Sequence, residues 1–197
     1  MSALDVVTAG DDGRLRCSWA LSTPDYVSYH DNEWGRPLAT DDAMFERLSL
    51  EAFQSGLSWL IVLRKRPAFR SAFRDFSIPT VAEFGEADVD RLLVDAGIVR
   101  NRAKIEATIA NARVALGLPG GMLQFVQGYA PTEARPAPRV AGDVLSVSPE
   151  STALAKELKR RGMRFVGPTT LYALMQATGL VNDHFAQCWR REAVSGR

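Results

Sequence analysis

The sequence predicts an all-α protein. Apolar residues recur at three- and four-residue spacings. Prolines with Ser, Thr or Asn caps open segments that glycines close. No run alternates apolar and polar residues as a strand would. Taken in order, Thr23-Pro24 opens a short helix through Tyr29 and His30. Thr40-Asp41-Asp42 opens a second, its acidic residues suiting the positive helix end; Met44, Leu48, Glu51 and Ser55 share one stripe of it. A short apolar segment spans Leu57 to Leu63, and Pro67 is read as opening the helix that carries Phe69, Phe73 and Phe76. Val89, Leu92, Leu93 and Ala96 mark a helix ended by Gly97, and Ile105, Ile109, Ala112 and Leu116 one ended by Gly117. Pro131, Pro136 and Pro138 place a loop over 130–142. Ser148-Pro149 starts a helix stopped at Gly162, Pro168 starts one stopped at Gly179, and Asn182 is available to cap the last.

Length and composition suit one unit over residues 15–192, built as a single body or two packed helical lobes. The expected tails are a flexible one at 1–14 and a short one at 193–197. No apolar run reaches the roughly 18–20 residues that cross a bilayer, and the polar start lacks a signal peptide's pattern, so the expectation is a cytoplasmic protein. The net charge of +1 does not advertise a nucleic-acid partner. The basic residues nevertheless cluster: Arg64, Lys65, Arg66, Arg70 and Arg74; Arg100, Arg102 and Lys104; and Lys156, Lys159, Arg160, Arg161 and Arg164. These are either solvated helix faces or one face that meets phosphates.

Three constellations carry chemistry. The chain's two cysteines and two histidines come as Cys17 with His30 and His184 with Cys188, the latter pair one turn apart if helical. Two thiolates and two imidazoles suit a closed tetrahedral zinc site; scattered core residues are the alternative. Second, the two helices around Arg161, Gly162, Gly167 and Thr169 meet in a short hairpin. Glycines admit close backbone approach, and the helix opening at Pro168 offers free N–H groups to a phosphate; a plain turn would look similar. Third, Trp19, Tyr26, Tyr29, Trp34, Phe45, Phe53 and Trp59 crowd residues 17–59. They form either core or a slot for a flat ligand. Glu51 lies on a stripe that ought to be buried, where a carboxylate is costly without a partner. It faces a cationic purine between rings, turns to solvent, or pairs with Arg47.

Cys17-Ser18-Trp19, Tyr29 to Gly35, Leu50 to Trp59, Asp95 to Arg100, Phe165-Val166-Gly167 and Gly179 to His184 together closely resemble the type I 3-methyladenine DNA glycosylase family of bacteria, over roughly residues 14–190. The resemblance implies a helix-hairpin-helix protein. It implies a structural zinc on Cys17, His30, His184 and Cys188, a base-binding Glu51, and pocket aromatics Trp19, Tyr26, Tyr29, Trp34 and Trp59. It also implies a DNA-probing loop at Gln54, Gly56 and Leu57, with Leu57 filling the gap left by a flipped base. Ala52 stands where the family often has glycine. Asn182 stands where the wider superfamily carries a catalytic aspartate, which the type I family also lacks. The expected activity is excision of alkylated purines, chiefly 3-methyladenine, from double-stranded DNA, without strand cleavage, by a monomer with no evident protein partner. Glu51 and Tyr29 would hold the base and Trp59 would stack on it. Two other readings use the same residues: a zinc-stapled DNA binder without chemistry, and a zinc hydrolase or deaminase.

Overall fold

The computed structural model describes residues 6–195. The helices are α1 (Pro24–Asn32), α2 (Asp41–Gln54), α3 (Trp59–Ala72), α4 (Ile78–Ala82), α5 (Glu86–Val94), α6 (Arg102–Ala115), α7 (Gly121–Gln127), α8 (Pro149–Arg160), α9 (Pro168–Ala177) and α10 (Arg190–Ser195). Their starts follow the caps in the sequence. The Thr23 hydroxyl accepts from Tyr26 N at 3.3 Å, that of Thr40 from Ala43 N at 3.2 Å, and the Asn101 amide oxygen from Lys104 N at 3.1 Å. No helix among the described residues is long and apolar enough to cross a membrane.

Helix α2 lies at the centre, packed against α3, α6, α7 and α9. Phe45, Phe53, Phe69, Phe73 and Phe76 are fully buried and touch ring to ring. They belong to a core that runs from Met44 to Val181. Burying each such ring contributes roughly 1.5–3 kcal/mol, so α2 is held as a rigid shelf.

The structure differs from the sequence reading at four places. Pro67 lies inside α3 rather than opening a helix, its missing N–H costing one bond of the ladder. The expected flexible tail is ordered from Val6: strands β1 (Val7–Ala9) and β2 (Leu15–Cys17) form an antiparallel hairpin, with Val7 opposite Cys17. Three residues per strand are too few for alternation to show. Helix α10 occupies most of the expected 193–197 tail. Residues 1–5 and 196–197 of the two tails lie outside the described residues. His184 and Cys188 sit in a non-helical segment, where Asn182 caps a turn by accepting from His184 N at 3.3 Å instead of starting a helix. That segment is pinned to the hairpin by Trp189 N donating to Leu15 O at 2.9 Å.

Candidate active site and metal centre

Cys17 ends β2, His30 projects from α1, and His184 and Cys188 come from the last turn before α10. All four are buried, and their ligand atoms lie within 4.8 Å of one another, so they could hold a metal ion. Cys188 Sγ is 3.4 Å from His30 Nε2 and 3.5 Å from His184 Nδ1; Cys17 Sγ is 3.8 Å from His184 Nδ1. A tetrahedral ion bonded to sulfur at about 2.3 Å and nitrogen at about 2.0 Å spaces those ligands about 3.5 Å apart, so the cluster fits. The far ring nitrogens are also engaged. His30 Nδ1 bonds Asp31 Oδ1 at 2.8 Å, and His184 Nε2 bonds Trp34 O at 3.4 Å. Arg16, donating to Asp31 at 2.7 Å, fixes that carboxylate in turn. Such outer bonds set the tautomer and orientation of a ligating imidazole. A hydrogen bond from Cys17, then contacts with the two rings, pulls the Cys188 thiol well below its usual range.

Next to this cluster lies a cavity of about 490 Å³. Trp19, Tyr26, Tyr29, Trp34, Glu51 and Trp59 all line it, and so does Gln54. Trp19 stands edge-on to Trp34 at 5.1 Å and to Tyr26 at 5.7 Å between ring centroids; Tyr29 and Trp59 are 5.4 Å apart. Trp34 also packs edge-on against His184 at 4.5 Å, so one wall of the cavity is braced by the cluster of two thiols and two imidazoles.

Glu51 is 6% exposed and hydrogen-bonds no described residue. Burial pushes its carboxyl up to about 7, against a smaller opposing pull from Arg47. It is therefore neither turned to solvent nor paired with Arg47. That arginine instead donates to the Tyr29 hydroxyl at 2.8 Å and lies 5.2 Å and 5.3 Å from the Tyr29 and Trp59 ring centroids. Burial pushes the Tyr29 phenol up, so it keeps its proton. With its oxygen accepting from Arg47 and no acceptor for its own O–H among the described residues, Tyr29 offers a donor beside the Glu51 acceptor. The Trp59 indole N–H is likewise without a partner.

The sequence reading missed Gln176 and Asp183, which supply the polar part of another wall. Asp183 Oδ2 accepts from Tyr172 at 2.6 Å and from Gln176 at 2.9 Å. Asp183 stands beside Asn182 inside the Gly179–His184 motif, but sequence alone assigns it no role; Gln176 carried no signal.

The residues expected to meet DNA lie on two surfaces. Ser55, Gly56, Leu57 and Ser58 form an exposed loop after α2, with Gly56 at φ +81°, a conformation suited to glycine. Between α8 and α9, Gly162 (φ +100°) and Gly167 form the hairpin and Thr169 lies in the first turn of α9, with Gly162 and Thr169 exposed. Asn111 clamps its far side, donating to Arg164 O at 2.9 Å and accepting from Arg164 N at 2.8 Å. Much of the charge in the basic clusters is engaged within the protein. Arg64, Arg66, Arg70, Arg102, Arg160 and Arg161 are ion-paired, the last two to Glu157, while Lys65 and Lys104 bond backbone carbonyls.

A family model described as methyladenine glycosylase matches residues 19–191. The chain belongs to the methyladenine glycosylase family. It is 46% identical to DNA-3-methyladenine glycosylase 1 of Escherichia coli (strain K12), over 88% of this chain and 95% of that protein. It is 38% identical to the DNA-3-methyladenine glycosylase of Haemophilus influenzae, over 88% and 96%. Among solved structures of the family, the 3-methyladenine DNA glycosylase I of Staphylococcus aureus, solved for the structural basis of 3-methyladenine recognition, superposes with a TM-score of 0.84 at 34% identity, covering 89% of this chain and 96% of that one.

Proposed function

We propose that this protein is a monofunctional DNA-3-methyladenine glycosylase that hydrolyses the N-glycosidic bond of alkylated purines in double-stranded DNA. The observation that carries the reading is Glu51: a buried carboxylate with no protein partner, on the wall of a ring-lined cavity, beside the unspent hydroxyl donor of Tyr29. Carboxylate and phenol suit a base edge with an amino group beside a ring-nitrogen acceptor. Trp59 stacks on the base, and Trp19, Tyr26 and Trp34 close the slot. Alkylation has already made the purine a cation, so it leaves with the bonding electron pair as a neutral base, without a strong general acid. Water adds to the oxocarbenium-like sugar carbon and releases a proton. A neutral purine is a far poorer leaving group, and it gains no cation–π energy from these rings.

The hairpin at Arg161, Gly162, Gly167 and Thr169 holds the phosphate backbone, and the loop at Gln54, Gly56 and Leu57 enters the duplex beside the everted nucleotide. Among the described residues no lysine lines the cavity, which supports hydrolysis without strand nicking. The donor set on Cys17, His30, His184 and Cys188 favours zinc. Such an ion, fully ligated by protein, supplies cross-linking rather than chemistry. The unbridged thiols suit the cytoplasm. We assign a monomer acting on alkylated DNA, with no protein partner. The test is incubation with methylated duplex DNA followed by chromatography of the released bases. Free 3-methyladenine with strands intact is the expected result; no released base would leave a mere binder.

A further inference from the structure

The root of the loop after α2 is tied down by a buried cation. Helix ends leave carbonyls unpaired. Here Ala52 O accepts from Ser55 N at 3.3 Å and Gln54 O from Leu57 N at 2.6 Å. The two carbonyls between and beyond them, Phe53 O and Ser55 O, accept from Lys104 Nζ at 2.9 Å and 2.5 Å. Every carbonyl from 52 to 55 is thus satisfied, half of them by one side chain on another helix. Lys104 is itself fixed: its N–H is capped by Asn101, and its carbonyl accepts from Thr108 Oγ1 at 2.9 Å. Its side chain is 7% exposed, unusual for lysine. A cation here also complements the negative end of α2. Glu51 sits one turn before this tie, and exposed Gly56 and Leu57 directly after it.

We propose that Lys104 is a positioning residue that sets the loop Ser55–Ser58 relative to the Glu51 cavity, so that the loop enters DNA already in the geometry the everted base requires. This rests on the reading of that loop as the part that meets DNA. Lys104 touches neither base nor sugar. Its loss therefore affects excision from duplex DNA and leaves the cavity's affinity for a free base intact, because the hydrogen bonds of its ammonium go to Phe53 O and Ser55 O and to no residue that lines the cavity.

The experiment compares Lys104→Met, which keeps the aliphatic stem, with Leu57→Ala in the full-length, metal-loaded protein. Single-turnover excision from methylated duplex is measured beside free 3-methyladenine binding, followed by tryptophan quenching. Lys104→Met is expected to slow excision about 10- to 100-fold, the usual cost of misplacing a site by about an ångström, with free-base affinity within twofold of the parent. Hydrogen exchange at the Gly56 and Leu57 amides should rise in step. If Leu57→Ala slows excision and Lys104→Met does not, the proposal is overturned. It is also overturned if free-base binding falls in parallel with excision, since Lys104 then merely supports the fold. If Leu57→Ala excises at the parent rate, the reading of the loop fails instead, and the proposal with it. Should Lys104→Met not fold, Lys104→Gln, which lacks the charge and is one atom shorter, takes its place in the same comparison.

Discussion

Replacing Glu51 by glutamine separates stability from activity in opposite directions. Burial lifts the carboxyl from its ordinary 4.5 to about 7 in the folded chain. Below pH 4.5 folded and unfolded chains both hold the proton, and Glu51 adds nothing to the pH dependence. As pH rises from there, the unfolded chain ionises first, and the folded state loses stability until about pH 7, where the buried carboxyl ionises too. At about 1.36 kcal/mol per pKa unit, the loss reaches roughly 3 kcal/mol and is constant at higher pH. Glu51→Gln removes it while still burying an unpaired amide, which leaves a gain of roughly 2 kcal/mol at pH 8. For a chain of this size that raises the melting temperature by about 4–8 °C. At pH 4, where the parent carboxyl is protonated, only the amide's cost of about 1 kcal/mol remains, and the variant should melt about 2–4 °C below the parent. Excision should meanwhile fall at least about tenfold, because an ionised acceptor is lost. Thermal melts at pH 4 and pH 8, beside base release from methylated DNA, make the test. A variant no more stable than the parent at pH 8, or one with undiminished excision, would refute the assignment of a buried, unpaired carboxylate that exists for its ligand.

Other outcomes follow from the same contacts. Tyr29→Phe should weaken free-base binding about 2- to 13-fold by tryptophan quenching, through loss of one hydrogen bond, and cost about 1 kcal/mol of stability by removing one partner of the Arg47 guanidinium, which keeps Glu33 at 3.8 Å. Elemental analysis should find one zinc per chain. Its removal with a chelator should lower the melting temperature and weaken base binding together, because Trp34 packs on His184. Gly179→Ala should destabilise by about 2 kcal/mol or more in denaturant melts. Gly179 has φ +74°, and an added Cβ would collide with the Gly35 carbonyl beside Trp34.

The helices were legible because their caps are local: Thr23, Thr40 and Ser148 make the bonds that their side chains suggest. Pro67 misled because a local rule cannot weigh the packing of Val62, Leu63 and Phe69, which keeps α3 continuous through it. The meeting of Cys17, His30, His184 and Cys188 could be guessed from ligand chemistry, but not its route, since His184 and Cys188 converge without a helix. The stripe on α2 indicated that Glu51 is buried, though not what accompanies it. Arg47, one turn earlier on that helix, was one of the partners the sequence left open, and the tertiary positions of Tyr29 and Glu33 take its guanidinium elsewhere. Gln176 and Asp183 reach the cavity through the arrangement of α9 and the segment after it, which no spacing encodes.

The cluster of two thiols and two imidazoles joins Cys17 to His184, 167 positions apart, and His30 to Cys188, 158 apart. During synthesis the wall carrying Trp34 therefore acquires its brace only after Cys188 has left the ribosome. Before that, α2 can settle into its helical partners, but the receptor for a base stays open on one side. A chain cut short before Cys188 would carry every residue that lines the cavity without the clasp that sets one wall.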